Sequence, residues 1–157
     1  MRKITLMLAL PLLLGGCGDP SSSARSAQSR DGNTVGVEVT DAWCRATPNG
    51  ARTGACYASF RAVGANDRLV SVNSSAATAA EVHDMEERDG MMRMTPLPQG
   101  LPLAEGRTVE LKPGATHIML TGLTSPLQTG EQAPMILTFE SGRTLELLVP
   151  VRAGADG

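Results

Sequence analysis

The segment RTVELKPGATHIMLT, residues 107–121, contains two short runs of strand-forming residues separated by a turn. Pro113-Gly114 supplies the turn, because this pair interrupts both helices and strands. In the second run, His117 and Met119 lie two positions apart, and side chains at positions i and i+2 of a strand point to the same face. The segment therefore predicts a β-strand that carries an imidazole next to a thioether.

Short runs with β-branched or aromatic residues recur on both sides of this segment, and turn signals such as Asp89-Gly90 and Ser141-Gly142 separate them. Strand-forming runs cover residues 35–43, 55–63, 68–72, 91–94, 135–140 and 144–151. Many short strands at this spacing predict an all-β domain, which we expect to be a Greek-key β-sandwich of the cupredoxin or immunoglobulin type. Residues 76–80 are expected to form one helical turn at most.

The chain has two histidines, and each precedes a methionine by two positions. The first pair is His83 with Met85, and Met91-Met92-Arg93-Met94 lies between the two pairs. Thioether sulfur and imidazole nitrogen suit Cu(I), whereas thioethers are poor ligands for Zn²⁺, Mg²⁺ and Ca²⁺. The pattern therefore favours a site for a soft monovalent metal. Packing is the alternative interpretation, because methionine is an adaptable core residue.

The spacing of these residues resembles that of the PCuAC family (DUF461), whose members are periplasmic copper chaperones. The family pattern, a His, ten residues, a Met, about twenty-two residues and then His-x-Met, is matched by His83, Met94 and His117-Ile118-Met119. The likeness extends over about residues 35–151. It implies a Cu(I) site whose ligands are His83, Met94, His117 and Met119.

The resemblance implies a function as well as a site. Family members supply copper for the assembly of cytochrome c oxidase, often beside Sco-type copper proteins. We therefore expect a copper chaperone of the bacterial periplasm, with the copper subunit of the oxidase and Sco-type proteins as its partners. Met85 and Met92 match no ligand position of the family.

Three other classes of protein fit the sequence less well. A blue-copper electron-transfer protein needs a Cys thiolate together with two His and a weak axial Met, and no Cys lies near His83 or His117 in the sequence. A structural lipoprotein without a metal is a second alternative. An enzyme is not expected, because we find no nucleophile–base set, no paired acids in a motif and no phosphate-binding loop.

Residues 1–16 have the pattern of a lipoprotein signal peptide. Arg2 and Lys3 precede an apolar run that is too short to span a bilayer, and Leu14-Gly15-Gly16-Cys17 resembles the bacterial lipobox. We expect Cys17 to be lipidated and to anchor the protein to a membrane; an ordinary secretory signal is the alternative. The remaining segments would be a flexible tether at 17–33, the PCuAC copper-binding domain at 34–152 and a short tail at 153–157.

The charge balance argues against a nucleic-acid partner. Removal of residues 1–16 would lower Lys+Arg from 14 to 12 against 16 Asp+Glu, which gives a formal net charge of −4. Nucleic-acid-binding domains instead carry a basic patch or stripe, and the sequence has none. Electrostatic adhesion to an anionic membrane surface is disfavoured for the same reason.

Two cysteines remain if Cys17 carries lipid. Pro48-Asn49-Gly50 predicts a turn between two strands, and a hairpin centred near Gly50 places Cys44 opposite Cys56. Directly opposed strand residues lie at a separation that suits a disulfide, and export to an oxidising compartment would allow it to form. The alternative is a redox-active or copper-binding thiol pair.

Overall fold

A computed structural model of the chain describes residues 35–154, which form ten β-strands and no helix. The strands are β1 (Gly36–Arg45), β2 (Thr53–Val63), β3 (Asp67–Asn73), β4 (Ala77–Arg88), β5 (Met91–Pro96), β6 (Leu101–Leu103), β7 (Thr108–Glu110), β8 (His117–Leu123), β9 (Gln132–Phe139) and β10 (Thr144–Arg152). The predicted all-β fold of the sandwich type is confirmed. Within the described residues, no helix is available to cross a membrane.

Several sequence predictions concern segments outside this range. The signal peptide, the lipidated Cys17 and the tether fall before residue 35, and residues 155–157 of the short tail follow the last described residue. These assignments stay predictions.

The strands form one sheet that closes on itself. Nine of them follow the order β5-β4-β8-β2-β1-β10-β9-β3-β6, and β7 pairs with β2 beside this path. The sheet closes where β3 returns to β4 through the pair Val72 and Ala80. Neighbouring strands run antiparallel, apart from the parallel pair β1 and β10. Apolar side chains fill the interior, and the largest fully buried ones include Phe60, Phe139 and Leu69.

The turn between β4 and β5 fixes how these two strands pair. Asp89 and Gly90 have φ values of 55° and 74°, and a two-residue type I′ turn needs positive φ at both positions. Because such a turn sets the register of a hairpin, Arg88 lies opposite Met91, and Met85 lies opposite Met94.

A bulge in β1 lets both halves of this strand face the core. The register of β1 against β2 shifts near Asp41, which has a φ of 51°. Val39 lies opposite Phe60 before the bulge, and Cys44 lies opposite Cys56 after it. Val39 and Cys44 are an odd number of positions apart, so a regular strand would place them on opposite faces. The inserted residue shifts the alternation of faces by one position, so both side chains point to the core and pack against it.

The expectation of a helical turn at residues 76–80 is wrong, because β4 begins at Ala77. Ala79 lies opposite Thr121 of β8, and Ala80 lies opposite Leu120. Alanine favours helices in isolated peptides, but pairing with β8 and the packing of Ala80 against the core override this local preference here.

Cys44 and Cys56 join β1 to β2 across the hairpin. Their Cα atoms are 4.0 Å apart, and their Sγ atoms are 2.00 Å apart, which is the distance of a disulfide bond. Both residues are buried. Trp43 contacts Tyr57 on the neighbouring pair of positions, with ring centroids 4.7 Å apart and ring planes inclined by 43°. The bond therefore lies in a well-packed part of the barrel, away from solvent.

We predict that alkylation without reduction leaves Cys44 and Cys56 of the exported protein unlabelled in mass spectrometry. Replacement of both by alanine should lower the free energy of unfolding by about 2–3 kcal/mol, because the bond closes a short loop in the unfolded chain. Chemical denaturation of the two proteins measures this difference. Two labelled cysteines in the non-reduced sample would contradict the assignment.

Candidate metal centre

The two histidines lie directly opposite each other on neighbouring strands, His83 on β4 and His117 on β8. Their ring centroids are 6.2 Å apart, and the ring planes are inclined by 49°. Imidazole–metal bonds are about 2 Å long, so one ion can reach a nitrogen atom of each ring at this separation. Strand pairing thus brings together two residues that are far apart in the sequence.

Both His-x-Met pairs share one face of the sheet. Residues alternate between the faces along a strand, and opposed residues on neighbouring strands point to the same side. Met119 lies opposite Glu81, and Met94 lies opposite Met85. The residues on this face, called the His/Met face below, include Glu81, His83, Met85, Glu87, Met92, Met94, Pro96, His117 and Met119. The structure therefore places the four predicted ligands on one surface formed by β4, β5 and β8.

Exposure to solvent increases across the His/Met face from β8 to β5. His117 is 8% exposed, and the side chain of His83 is 16% exposed. Met119 is partly buried, whereas Met94 is 47% exposed. An ion held between the histidines would therefore be shielded on the β8 side and open on the β5 side.

A backbone contact orients the His117 ring. His117 Nδ1 lies 2.9 Å from the carbonyl oxygen of Ala115. A carbonyl oxygen can only accept a hydrogen bond, so the Nδ1–H group of His117 donates it. The neutral ring then keeps its free lone pair on Nε2. Hydrogen bonds of this kind fix the tautomer and the orientation of metal-binding imidazoles. His117 is therefore oriented to bind an ion through Nε2.

In the His83 ring the polar contact is at Nε2, whereas in the His117 ring it is at Nδ1. His83 Nε2 lies 3.5 Å from Glu81 Oε2, at the outer limit of a hydrogen bond. Its Nδ1 is buried and has no hydrogen-bond partner within residues 35–154. Buried polar atoms nearly always have a partner, so a free Nδ1 fits a ring whose remaining partner is a metal ion.

A polar link beside the histidines holds β4 against β8. Thr116 Oγ1 donates a hydrogen bond to Asp84 Oδ1 at 2.7 Å, and the same oxygen accepts one from the backbone N–H of Met85 at 2.9 Å. Asp84 follows His83 in the sequence, and Thr116 precedes His117. These bonds therefore hold the backbone at His83 next to the backbone at His117.

Glu81 and Ala115 also support the site, and neither was predicted from the sequence. Glu81 precedes His83 by two positions, and this spacing on a strand was a usable signal for a shared face. The Ala115 contact comes from a backbone oxygen, for which the residue type gives no signal.

The donor set of the His/Met face is soft. Among the residues that the structure describes, no group of three or more His, Cys, Asp or Glu side chains is placed to hold a metal ion. A metal site here would therefore depend on thioethers as well as imidazoles, which favours Cu(I) over harder ions.

Comparison with known proteins places the chain in a family. The family model "LpqE-like: Putative lipoprotein LpqE-like" matches residues 37–151. The "Putative lipoprotein Lxx21020" of Leifsonia xyli subsp. xyli (strain CTCB07) is 32% identical over 157 residues, which cover 97% of this chain and 93% of the relative. The chain belongs to the LpqE-like family.

Solved structures of PCuAC domains share the fold of this LpqE-like chain. The copper-bound PCuAC domain from PmoF2 is 22% identical with a TM-score of 0.63, and the match covers 76% of this chain and 96% of that domain. The solution structure of apo-DR1885 from Deinococcus radiodurans is 25% identical with a TM-score of 0.60, over 94% of this chain and 99% of the other. The CuI-DR1885 structure is 25% identical with a TM-score of 0.58, and the match covers 84% of this chain and 87% of the other. The predicted membership of the PCuAC family is confirmed.

We predict that the two neutral imidazoles of the metal-free protein have different tautomers. His117 should carry its proton on Nδ1, because Ala115 accepts from that atom, and His83 should carry its proton on Nε2 beside Glu81. Long-range ¹H–¹⁵N correlation spectra of the side chains distinguish the two forms. A proton on Nε2 of His117 would contradict the proposed orientation of this ring.

Proposed function

We propose that this PCuAC domain is a copper chaperone that binds one Cu(I) and passes it to another protein. In this proposal the ligands are His83, Met94, His117 and Met119. The observation that carries the proposal is the opposed pair His83 and His117, with their rings 6.2 Å apart on the same face as the two thioethers. Two imidazoles and two thioethers are a donor set that suits Cu(I).

The chemistry of these ligands fits transfer as well as binding. Thioethers have no proton to lose and resist the disulfide formation that removes free thiolates in an oxidising compartment. His117 already has a free lone pair on Nε2 through its bond to Ala115. Binding of Cu(I) to the neutral rings would therefore need no proton release, and the exposed Met94 would leave one side of the ion accessible to an acceptor.

The solved structure of DR1885 supports copper as the cargo. DR1885 is described in a Cu(I) form, and the PCuAC domain from PmoF2 is described as copper-bound. The DR1885 structure supports Cu(I) as the bound metal as well as the shared fold, because it is 25% identical to this chain over most of both chains.

The destination of the copper and the site of action are proposed from the family resemblance and from the N-terminal sequence. The acceptors would be the copper subunit of cytochrome c oxidase and Sco-type proteins. Cys17 would carry lipid, and the tether at 17–33 would hold the domain near a membrane in the bacterial periplasm. The relative from Leifsonia xyli is also named as a lipoprotein, which supports the anchor.

A blue-copper electron-transfer centre is the weaker alternative. Such a centre needs a Cys thiolate beside the two His. Cys44 and Cys56 are joined to each other. Cys56 also lies opposite Ile118 of β8, which is on the other face of the sheet from His117. The described residues thus leave no thiolate beside the histidines.

The four proposed ligands can be tested by substitution. Met94→Leu and Met119→Leu should each weaken Cu(I) binding more than about tenfold, because loss of even a supporting group at a metal site costs 10–100-fold. The fold should persist, since exchange of Met for Leu usually costs under about 1.5 kcal/mol. His83→Ala and His117→Ala should weaken binding at least as much. Competition with a Cu(I)-specific chelator measures the affinities, and thermal unfolding checks the fold.

Met135→Leu is the matched control, because Met135 is buried in the core on β9, away from the His/Met face. It should leave the affinity unchanged. Wild-type affinity in both Met94→Leu and Met119→Leu would show that these methionines only pack, and the proposed centre would then be wrong. No Cu(I) binding by the wild-type protein would favour a metal-free structural lipoprotein.

A further inference from the structure

Strand β5 exposes methionine side chains that the four proposed ligands do not account for. Met91 and Met92 are each 56% exposed, beside Met94 at 47%. Methionines that serve only as core filler are buried, as Met135 is. Packing within the barrel therefore does not explain why this strand carries thioethers at three of its six positions.

The β4–β5 register separates these methionines by face. Met92 lies opposite Glu87, Met94 lies opposite Met85, and Met91 lies opposite Arg88. Met92 and Met94 therefore share the His/Met face with Met85, whereas Met91 points to the other side of the hairpin.

Three thioethers on this face are close enough to meet at one ion. Directly opposed residues such as Met85 and Met94 have Cβ atoms about 4.5–5.5 Å apart. Met92 is two positions from Met94 along the strand, about 6.6 Å away at 3.3 Å per residue. Methionine has three rotatable bonds before its methyl group, so the sulfur atoms can converge across these distances.

We propose that Met85, Met92 and Met94 form a capture site for Cu(I) at the end of the β4–β5 hairpin. The proposal rests on the proposed function, in which Met94 is also a ligand of the central site. An ion held by three neutral sulfur atoms is monovalent and soft, because thioethers bind harder ions poorly. The site would therefore select Cu(I) before the ion reaches the histidines.

Transfer to the central site is an exchange of ligands in which Met94 stays bound. The bonds from copper to Met85 and Met92 break as bonds to His83, His117 and Met119 form. The copper remains Cu(I) throughout, so no electron donor or acceptor is needed. Each imidazole binds through a ring nitrogen that carries a lone pair, so a ring that is neutral before binding releases no proton.

The test compares the double variant Met85→Leu/Met92→Leu with Met91→Leu in uptake of Cu(I) from a chelator complex, followed by stopped-flow absorbance. The double variant should take up copper about tenfold more slowly, by analogy with the loss of supporting groups at metal sites, and should keep the equilibrium affinity of the wild type. Met91→Leu is the matched control, because Met91 has the same exposure as Met92 and lies on the same strand but faces the other way. It should behave as wild type.

A second measurement isolates the capture site from the central one. His83→Ala/His117→Ala should retain a weak Cu(I) site with sulfur ligands only, visible by X-ray absorption. Addition of Met85→Leu/Met92→Leu should abolish this residual binding, and addition of Met91→Leu should not.

Three results would overturn the capture site. Met85→Leu/Met92→Leu could take up Cu(I) at the wild-type rate, or Met91→Leu could be slowed as much as this double variant. The double variant could also lose as much equilibrium affinity for Cu(I) as Met94→Leu. Failure of the proposed function is distinguishable from these. It would appear as wild-type affinity in His83→Ala/His117→Ala, which would also show that the thioethers are the final site and not a capture site.

Discussion

The register between β4 and β8 determines where each proposed ligand lies. A slip by one residue would turn every side chain of β4 to the other face and bury His83 in the core. Val82 and Ile118 oppose each other on the core side and are both buried, so burial of apolar surface holds the strands in this register. The hydrogen bond between Thr116 and Asp84 reinforces it at the edge of the site.

The other features of the site follow from this register. The core side is rigid, because it is densely packed and includes the Cys44–Cys56 bond on the neighbouring β1–β2 hairpin. On the outer side, exposure to solvent increases from the nearly buried His117 to the exposed Met94 on β5. Strand β5 pairs only with β4 among the described strands, so its thioethers are the most accessible ligands. A largely buried imidazole pair with accessible thioethers at one side is an arrangement suited to accepting an ion and releasing it.

Local signals in the sequence predicted much of this arrangement, but they could not predict which distant strands pair. The spacing of His117 and Met119 predicted a shared face, and the turn at Asn49-Gly50 predicted that Cys44 opposes Cys56, because both depend on near neighbours in the chain. The Asp89-Gly90 turn was predicted, but the pair of Met85 and Met94 that its geometry fixes was not. The helical turn at residues 76–80 was wrong, since pairing with distant β8 decides that segment. The opposition of His83 to His117 depends on the pairing of β4 with β8, two strands that are distant in the sequence.

The most direct test of the Cu(I) centre is the X-ray absorption spectrum of the copper-loaded wild-type protein at the copper K edge. We expect a first shell of nitrogen and sulfur scatterers together, from the two imidazoles and the thioethers of Met94 and Met119, with less sulfur scattering in Met119→Leu. A first shell of nitrogen and oxygen alone would contradict it, because the methionines would then have no part in holding the metal.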